Sequence, residues 1–242
     1  MRVASSHLLI TGSNRGLGRA LVDASLARGA AKVYAGARAP RTLEELAARG
    51  AGRVVPLEID LTRPETLASA TARVPTLDLL INNAGRFTPG LLTEADVDHV
   101  HSDILTNFFG TLTVTRAFLP ALERKGEDAA IANVLSIAAL ASMPAAGAYS
   151  ASKAAALSLT QALRGELRRK GIRVYAVFPG PVDTEMARDV TLPKTPPAEV
   201  ARAILDGIEA GDEDIFPDSM SRQVAKAWST SPKSVERMFG EM

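Results

Sequence analysis

The sequence predicts an α/β fold, a doubly wound parallel sheet with helices on both faces, built as a single domain over residues 1–242. Three observations carry this expectation. Short apolar runs alternate with longer helix-periodic segments, as a parallel sheet with crossover helices requires. A glycine-rich turn, Thr11-Gly12-Ser13-Asn14-Arg15-Gly16-Leu17-Gly18, joins the first apolar run directly to the first helical segment. Finally, Gly12, Asp60, Asn82, Ser136 and Pro179 each follow directly on a predicted strand, so a parallel arrangement collects them at one sheet edge, where open α/β sheets bind ligands.

The elements follow in order. His7 to Ile10 is a buried strand, and after the glycine turn Arg19 to Arg28 is a helix with Gly29 as its C-cap. Lys32 to Gly36 is a strand, Thr42 to Arg49 a helix, Arg53 to Ile59 a strand and Leu77 to Ile81 a short apolar strand. Ala95 to Arg124 reads as one long helical tract, Ala129 to Leu135 as a strand, Tyr149 to Lys170 as a helix and Ile172 to Phe178 as a strand. Pro193, Pro196 and Pro197 punctuate a loop after Gly180. Beyond Asp214-Ile215-Phe216-Pro217, polar helical stretches are expected around Gln223 to Trp228 and from Pro232 to Met242, a helical tail over about 218–242.

The chain is long enough for one substantial core. Hydrophobic residues make up 46% and charged residues 23%, with a net charge of +1, a profile without bulk attraction to nucleic acid or acidic membranes. No apolar run approaches bilayer length and the first strand starts within a few residues of Met1, so neither a membrane span nor a signal peptide is expected. The absence of cysteine excludes disulfides, thiolate metal ligands and thiol nucleophiles, and the expected location is the cytoplasm.

Two motifs carry chemistry. The glycine turn lets the backbone bend sharply and approach an anion, with free N–H groups at the helix start aimed at it. Its spacing, G-x-x-x-G-x-G, departs both from G-x-G-x-x-G and from the P-loop. Tyr149 and Lys153, four residues apart among helix formers, set a phenol and an ammonium on one helical face. A nearby cation lowers a phenol pKa by roughly one to three units, so Tyr149 is expected to exchange protons near neutrality. The cluster Asp96, Asp98, His99, His101 and Asp103 offers metal-ligand chemistry, but His99 and His101 fall on different helix faces. It is read as a solvated helix start, and no metal is expected.

The glycine turn, Asp60, Asn82-Asn83-Ala84-Gly85, Asn107, Ser136, the Tyr149/Lys153 pair and Pro179-Gly180 followed by Thr184 occur in an order that resembles the short-chain dehydrogenase/reductase family in its compact single-domain form, with a Rossmann-type sheet. The resemblance implies that Tyr149 donates a proton to a carbonyl oxygen while NAD(P)H delivers hydride, with Ser136 hydrogen-bonding the same oxygen. Lys153 would bind the nicotinamide ribose and lower the Tyr149 pKa, and Asn107 would hold a water in a proton relay. Gly12, Ser13, Asn14, Arg15, Gly16, Leu17 and Gly18 would cradle the cofactor. Asp60 and Leu61 would meet its adenine, and Asn82, Asn83, Ala84 and Gly85 would line its floor, Asn82 chiefly as a structural residue. Pro179, Gly180, Val182 and Thr184 would complete the cofactor site, and Val182 to about Pro197 would form the substrate loop.

Gly36-Ala37-Arg38 lacks the acidic residue with which the family selects NAD, whereas Arg38 and Arg15 suit a 2′-phosphate, so NADP(H) is expected. The expected activity is interconversion of a small or medium apolar ketone or aldehyde with its alcohol. The alternatives are an acyl-carrier-linked ketoreductase and a non-catalytic nicotinamide-cofactor sensor. Phe87, Met143, Phe178 and Met186 are candidates for an apolar pocket. The short strand and glycine-rich tail common at the family's C-terminus are read as missing, Trp228, Met238 and Phe239 being read as an anchor for the tail. Ala154, Ala155 and Ser158 suit close helix packing in a homodimer.

Overall fold

The computed structural model describes residues 1–241. Its seven parallel strands stand in the order β3-β2-β1-β4-β5-β6-β7. The strands are β1 (His7–Thr11), β2 (Lys32–Ala37), β3 (Val54–Glu58), β4 (Leu79–Asn82), β5 (Ala130–Val134), β6 (Arg173–Val177) and β7 (Asp214–Ile215). Strand order reverses between β1 and β4, and the C-terminal ends of β1, β4, β5 and β6 open onto one edge.

Alternation of side chains along each strand builds two cores, one on each face of the sheet. Leu8 and Ile10 of β1, Leu79 and Ile81 of β4, and Tyr175 and Val177 of β6 face one layer. Helices α1 (Gly16–Ala27), α2 (Glu44–Arg49) and α7 (Pro197–Ala210) supply Leu21, Leu46 and Ile204 to that layer. Leu9, Leu80, Ile131 and Val174 face the other, closed by α3 (Glu65–Ala72), α5 (Thr111–Lys125) and α6 (Gly147–Leu167) through Leu67, Phe118 and Leu163. A third cluster forms where α8 (Ser219–Thr230) and α9 (Pro232–Gly240) fold back on Leu135, Ala176 and Phe178. Phe239 is buried there with Val224 and Val235, and burying such a phenyl ring stabilises the dock by about 2 kcal/mol.

Several expectations are corrected. The tract from Ala95 to Arg124 is interrupted: α4 (Val97–Ile104) passes through a π-helical turn at Leu105–Gly110 before α5 begins. The segment after β2 starts as a 3₁₀ turn at Pro40–Leu43, and α6 ends in another at Arg168–Lys170. The terminal strand read as missing is present, since Asp214–Ile215 pairs in parallel with β6. Helices α3 and α7 had no counterpart among the expected elements. Met242, assigned to the last helical stretch, lies outside the described residues.

Candidate active site

The glycine turn is a cradle that only glycine can line. Gly12 and Gly16 have φ of 67° and 55°, and a Cβ on Gly18 would sit 2.1 Å from the Gly12 carbonyl oxygen. The β4 end forms its wall: Thr11 Oγ1 accepts from the N–H groups of Asn83 (3.0 Å) and Ala84 (2.9 Å), while Asn83 Nδ2 donates to the Thr11 carbonyl (2.8 Å). Ser13 is tied down, its N–H to Gly36 and its hydroxyl to Ile10. Asn14 and Leu17 are partly buried, Leu17 against the core. Helix α1 has neither an acidic first turn nor a side-chain cap from Arg15, so its leading N–H groups are free to meet an anion of phosphate size.

Around this cradle, Arg15 is exposed and ion-paired with Glu185, and Arg38 is exposed at the end of β2 with no ion-pair partner among the described residues. Burial would push the Asp60 carboxyl up, but donors on Thr62 and Arg63 together hold it below its usual value. Leu61 lies against Gly110, and Thr184 packs on Gly16. Val182 bridges to Thr195, closing the base of the Val182 to Pro197 loop. Pro179 accepts from Ile137 N–H, which ties the turn after β6 to the turn after β5.

Ser136 caps that second turn, its hydroxyl accepting from Ala138 N–H (3.1 Å) and lying beside the Tyr149 phenol. Lys153 is 5% exposed; its Nζ donates to the Val134 carbonyl (2.8 Å) and stands 5.7 Å from the centre of the Tyr149 ring. Gly85 leaves room for it, since a Cβ there would meet Asn107 Oδ1 at 3.0 Å and Lys153 Nζ at 3.5 Å. Asn107 donates to Ser152 Oγ (2.7 Å) and to the Arg86 carbonyl (2.8 Å), and accepts from Arg86 N–H (2.8 Å).

The expected proton balance is reversed. Burial pushes the Tyr149 phenol up to about 12, with the Ser136 hydroxyl pulling it down and the Asp103 charge adding to the rise. Burial lowers the Lys153 ammonium to about 8, against the opposing pull of Asp103. Desolvation disfavours the charged form of each group and is the largest cause of both shifts.

Other residues emerge only in three dimensions. Asp218, 3% exposed, caps α8 and accepts from Gly180 N–H (2.8 Å), so the tail holds the turn after β6. Asp103 is fully buried, which overturns its place in a solvated helix start; Asp96, Asp98, His99 and His101 remain exposed. The Phe87 ring meets Tyr149 edge to face at 5.1 Å. Phe178 is core, stacked on Phe216, Met143 packs beside it, and Met186 is exposed. Phe239 anchors the tail as expected, Trp228 packs against the same cluster, and Met238 is exposed. A cavity of about 270 Å³ lies against the N-terminus of α6, lined by Leu91, Leu92, Thr93, Ser142, Pro144 and Gly147.

The short chain dehydrogenase family model matches residues 6–194. A short chain dehydrogenase of Monascus purpureus is 36% identical over 196 residues, covering 76% of this chain and 67% of its own. The 1-deoxy-11-beta-hydroxypentalenate dehydrogenase of Streptomyces exfoliatus is 33% identical over 203 residues, covering 80% and 74%. The crystal structure of a short chain dehydrogenase from Burkholderia cenocepacia J2315, in complex with NADP, superposes with a TM-score of 0.92 at 40% identity over 99% of both chains. Sequence, sheet order and the glycine cradle agree, and the chain belongs to the short chain dehydrogenase family of oxidoreductases.

Proposed function

We propose that this protein is an NADPH-dependent oxidoreductase interconverting a ketone or aldehyde with its alcohol, with Tyr149 as proton donor and acceptor. One observation carries the reading: a phenol, a hydroxyl and a buried ammonium, from Tyr149, Ser136 and Lys153, meet beside an anion cradle formed by Gly12 to Gly18. NADPH, when bound, supplies hydride to the carbonyl carbon. The chain does the rest. Tyr149 gives its proton to the carbonyl oxygen, and a phenol pushed up to about 12 keeps that proton until charge develops on the oxygen. Ser136 donates a hydrogen bond to the same oxygen, stabilising the nascent alkoxide. Lys153, buried beside the Tyr149 ring, would hold the nicotinamide ribose hydroxyls, and Asn107, fixed by its bonds to Arg86 and Ser152, would hold a water in the proton relay.

Arg15 and Arg38 support the choice of NADPH, because both guanidinium groups are exposed near the cradle and no carboxylate follows β2. The NADP complex of the Burkholderia relative points the same way. The exposed small residues Ala154 and Ser158 on α6 favour a homodimer through that helix.

Oxidation of NADPH and NADH is to be followed with benzaldehyde, octanal, acetophenone and cyclohexanone, with Y149F as control. NADPH turnover lost in Y149F supports the reading. Turnover retained in Y149F refutes the proton role, and tight NADPH binding without turnover on any compound moves the protein to a sensor or a carrier-bound substrate.

A further inference from the structure

We propose that Asp103 is a positioning residue for Tyr149: together with Asn107 it clamps the segment Arg86 to Thr88 and so holds the Phe87 ring across the phenol. Asp103 and Asn107 are four residues apart and both face the segment that leaves β4. Asn107 takes the backbone N–H and carbonyl of Arg86. Asp103 takes the other end, accepting from Thr88 N–H (3.1 Å) and the Thr88 hydroxyl (2.9 Å), and ion-pairing with Arg86 Nε at 3.3 Å. Phe87 stands between these anchors with its ring edge-to-face on Tyr149.

A carboxylate with no exposed surface persists only when its lone pairs are satisfied, and here three donors from two residues do so. The two residues that supply these donors flank Phe87, whose ring meets the Tyr149 ring. This proposal rests on the oxidoreductase reading, in which Tyr149 does chemistry.

The same carboxylate, on α4, is the charged neighbour of Tyr149 and Lys153 on α6. Facing that pair are Asp103 and, beyond it, Arg86; β5 and α6 add the Val134 carbonyl and the hydroxyls of Ser136 and Ser152. A negative charge holds protons on both groups, so its removal lowers the pH at which the pair loses its first proton, whichever member releases it.

Asp103→Asn keeps the shape and one acceptor while removing the charge. With cyclohexanol and NADP⁺, the ascending limb of kcat/KM against pH is expected to move down by about one unit in D103N, with kcat changed and the NADPH dissociation constant within about twofold of the parent. Thr88→Ala, which keeps the charge, is expected to lower kcat severalfold with the limb unmoved. An unmoved limb in D103N overturns the proposal, as does NADPH binding weakened in proportion to kcat, which marks a general structural role. If D103N fails to fold, T88A decides: unchanged kcat overturns the clamp. If the parent turns over no carbonyl or alcohol, the functional reading falls, and phenolate absorbance decides instead. Ionisation of Tyr149, taken as the difference from Y149F, must then begin about one unit lower in D103N, and an identical onset overturns the proposal.

Discussion

Replacing Asp218 by alanine should loosen both the C-terminal tail and the turn after β6. One oxygen of this buried carboxylate accepts from Ser221 N–H at 2.8 Å, and the other accepts from Gly180 N–H at 2.8 Å. The Ser221 hydroxyl returns the contact by accepting from Asp218 N–H at 3.1 Å, completing a capping box. Losing an N-cap costs about 1 kcal/mol. Leaving the Gly180 N–H without its partner costs about 2 kcal/mol more. Together these predict that D218A is about 3 kcal/mol less stable, which for a chain of this length lowers Tm by about 6 °C. Equilibrium urea unfolding followed by far-UV circular dichroism, with a thermal scan alongside, measures this directly. Because one carbonyl oxygen serves only one of the two donors, D218N should fall midway. Val182 and Thr184 follow Gly180 towards the cradle, so KM for NADPH should rise severalfold in D218A. A D218A protein within about 0.5 kcal/mol of the parent would show that the carboxylate does not hold the tail to the site.

Y149F should lose about 10²- to 10⁴-fold in kcat while its NADPH dissociation constant, from nicotinamide fluorescence, stays within a few fold. R38A and R15A should each lose at least about tenfold in kcat/KM for NADPH and little for NADH, since a charge-assisted contact to phosphate is worth about 1.5–3 kcal/mol; equal losses with both cofactors would count against the assignment. G18A should abolish NADPH binding or soluble expression, because its methyl group would sit 2.1 Å from the Gly12 oxygen, and normal titration of G18A would contradict the cradle. Lys153 falls from 10.5 to about 8 on folding, so between those values the unfolded chain binds the extra proton and stability rises with pH. Urea unfolding of the cofactor-free protein should therefore show a gain of about 2 kcal/mol from pH 8 to 10, absent in K153M; above pH 10 the raised Tyr149 pKa reverses the slope.

The strands were readable from sequence because a two-sided core makes them continuous apolar runs, as in Leu8-Leu9-Ile10 and Leu79-Leu80-Ile81. The glycine turn was readable for a different reason, since close backbone approach leaves glycine as the one residue that fits. Asp103 escaped because its neighbours Asp98, His99 and His101 are solvent-facing, and composition does not reveal that one member of a charged cluster is turned inward to meet Thr88. Asp218 escaped because its partner Gly180 is 38 residues away and offers only a backbone N–H, a group every non-proline residue carries. The sign of the Tyr149 shift was missed because four-residue spacing reports proximity to Lys153 but says nothing of desolvation, which dominates for both groups. Strand β7 is only two residues long, too short for any periodicity to register.

The π-helical turn at Leu105–Gly110 links two helices with different allegiances: α4 packs on α6, which carries Tyr149, while α5 packs on α3 and the sheet. An extra residue in a helix offsets the phase of everything before it by about 100° relative to everything after. Excising one residue here would restore a regular helix at the local level. It would also rotate α4 about its axis, carrying Asp103 away from Thr88 while leaving α5 seated. In this chain the irregular turn therefore acts as a fixed gearing between scaffold and chemistry, so single-residue deletions within 105–110 should be tolerated far less well than substitutions at the same positions.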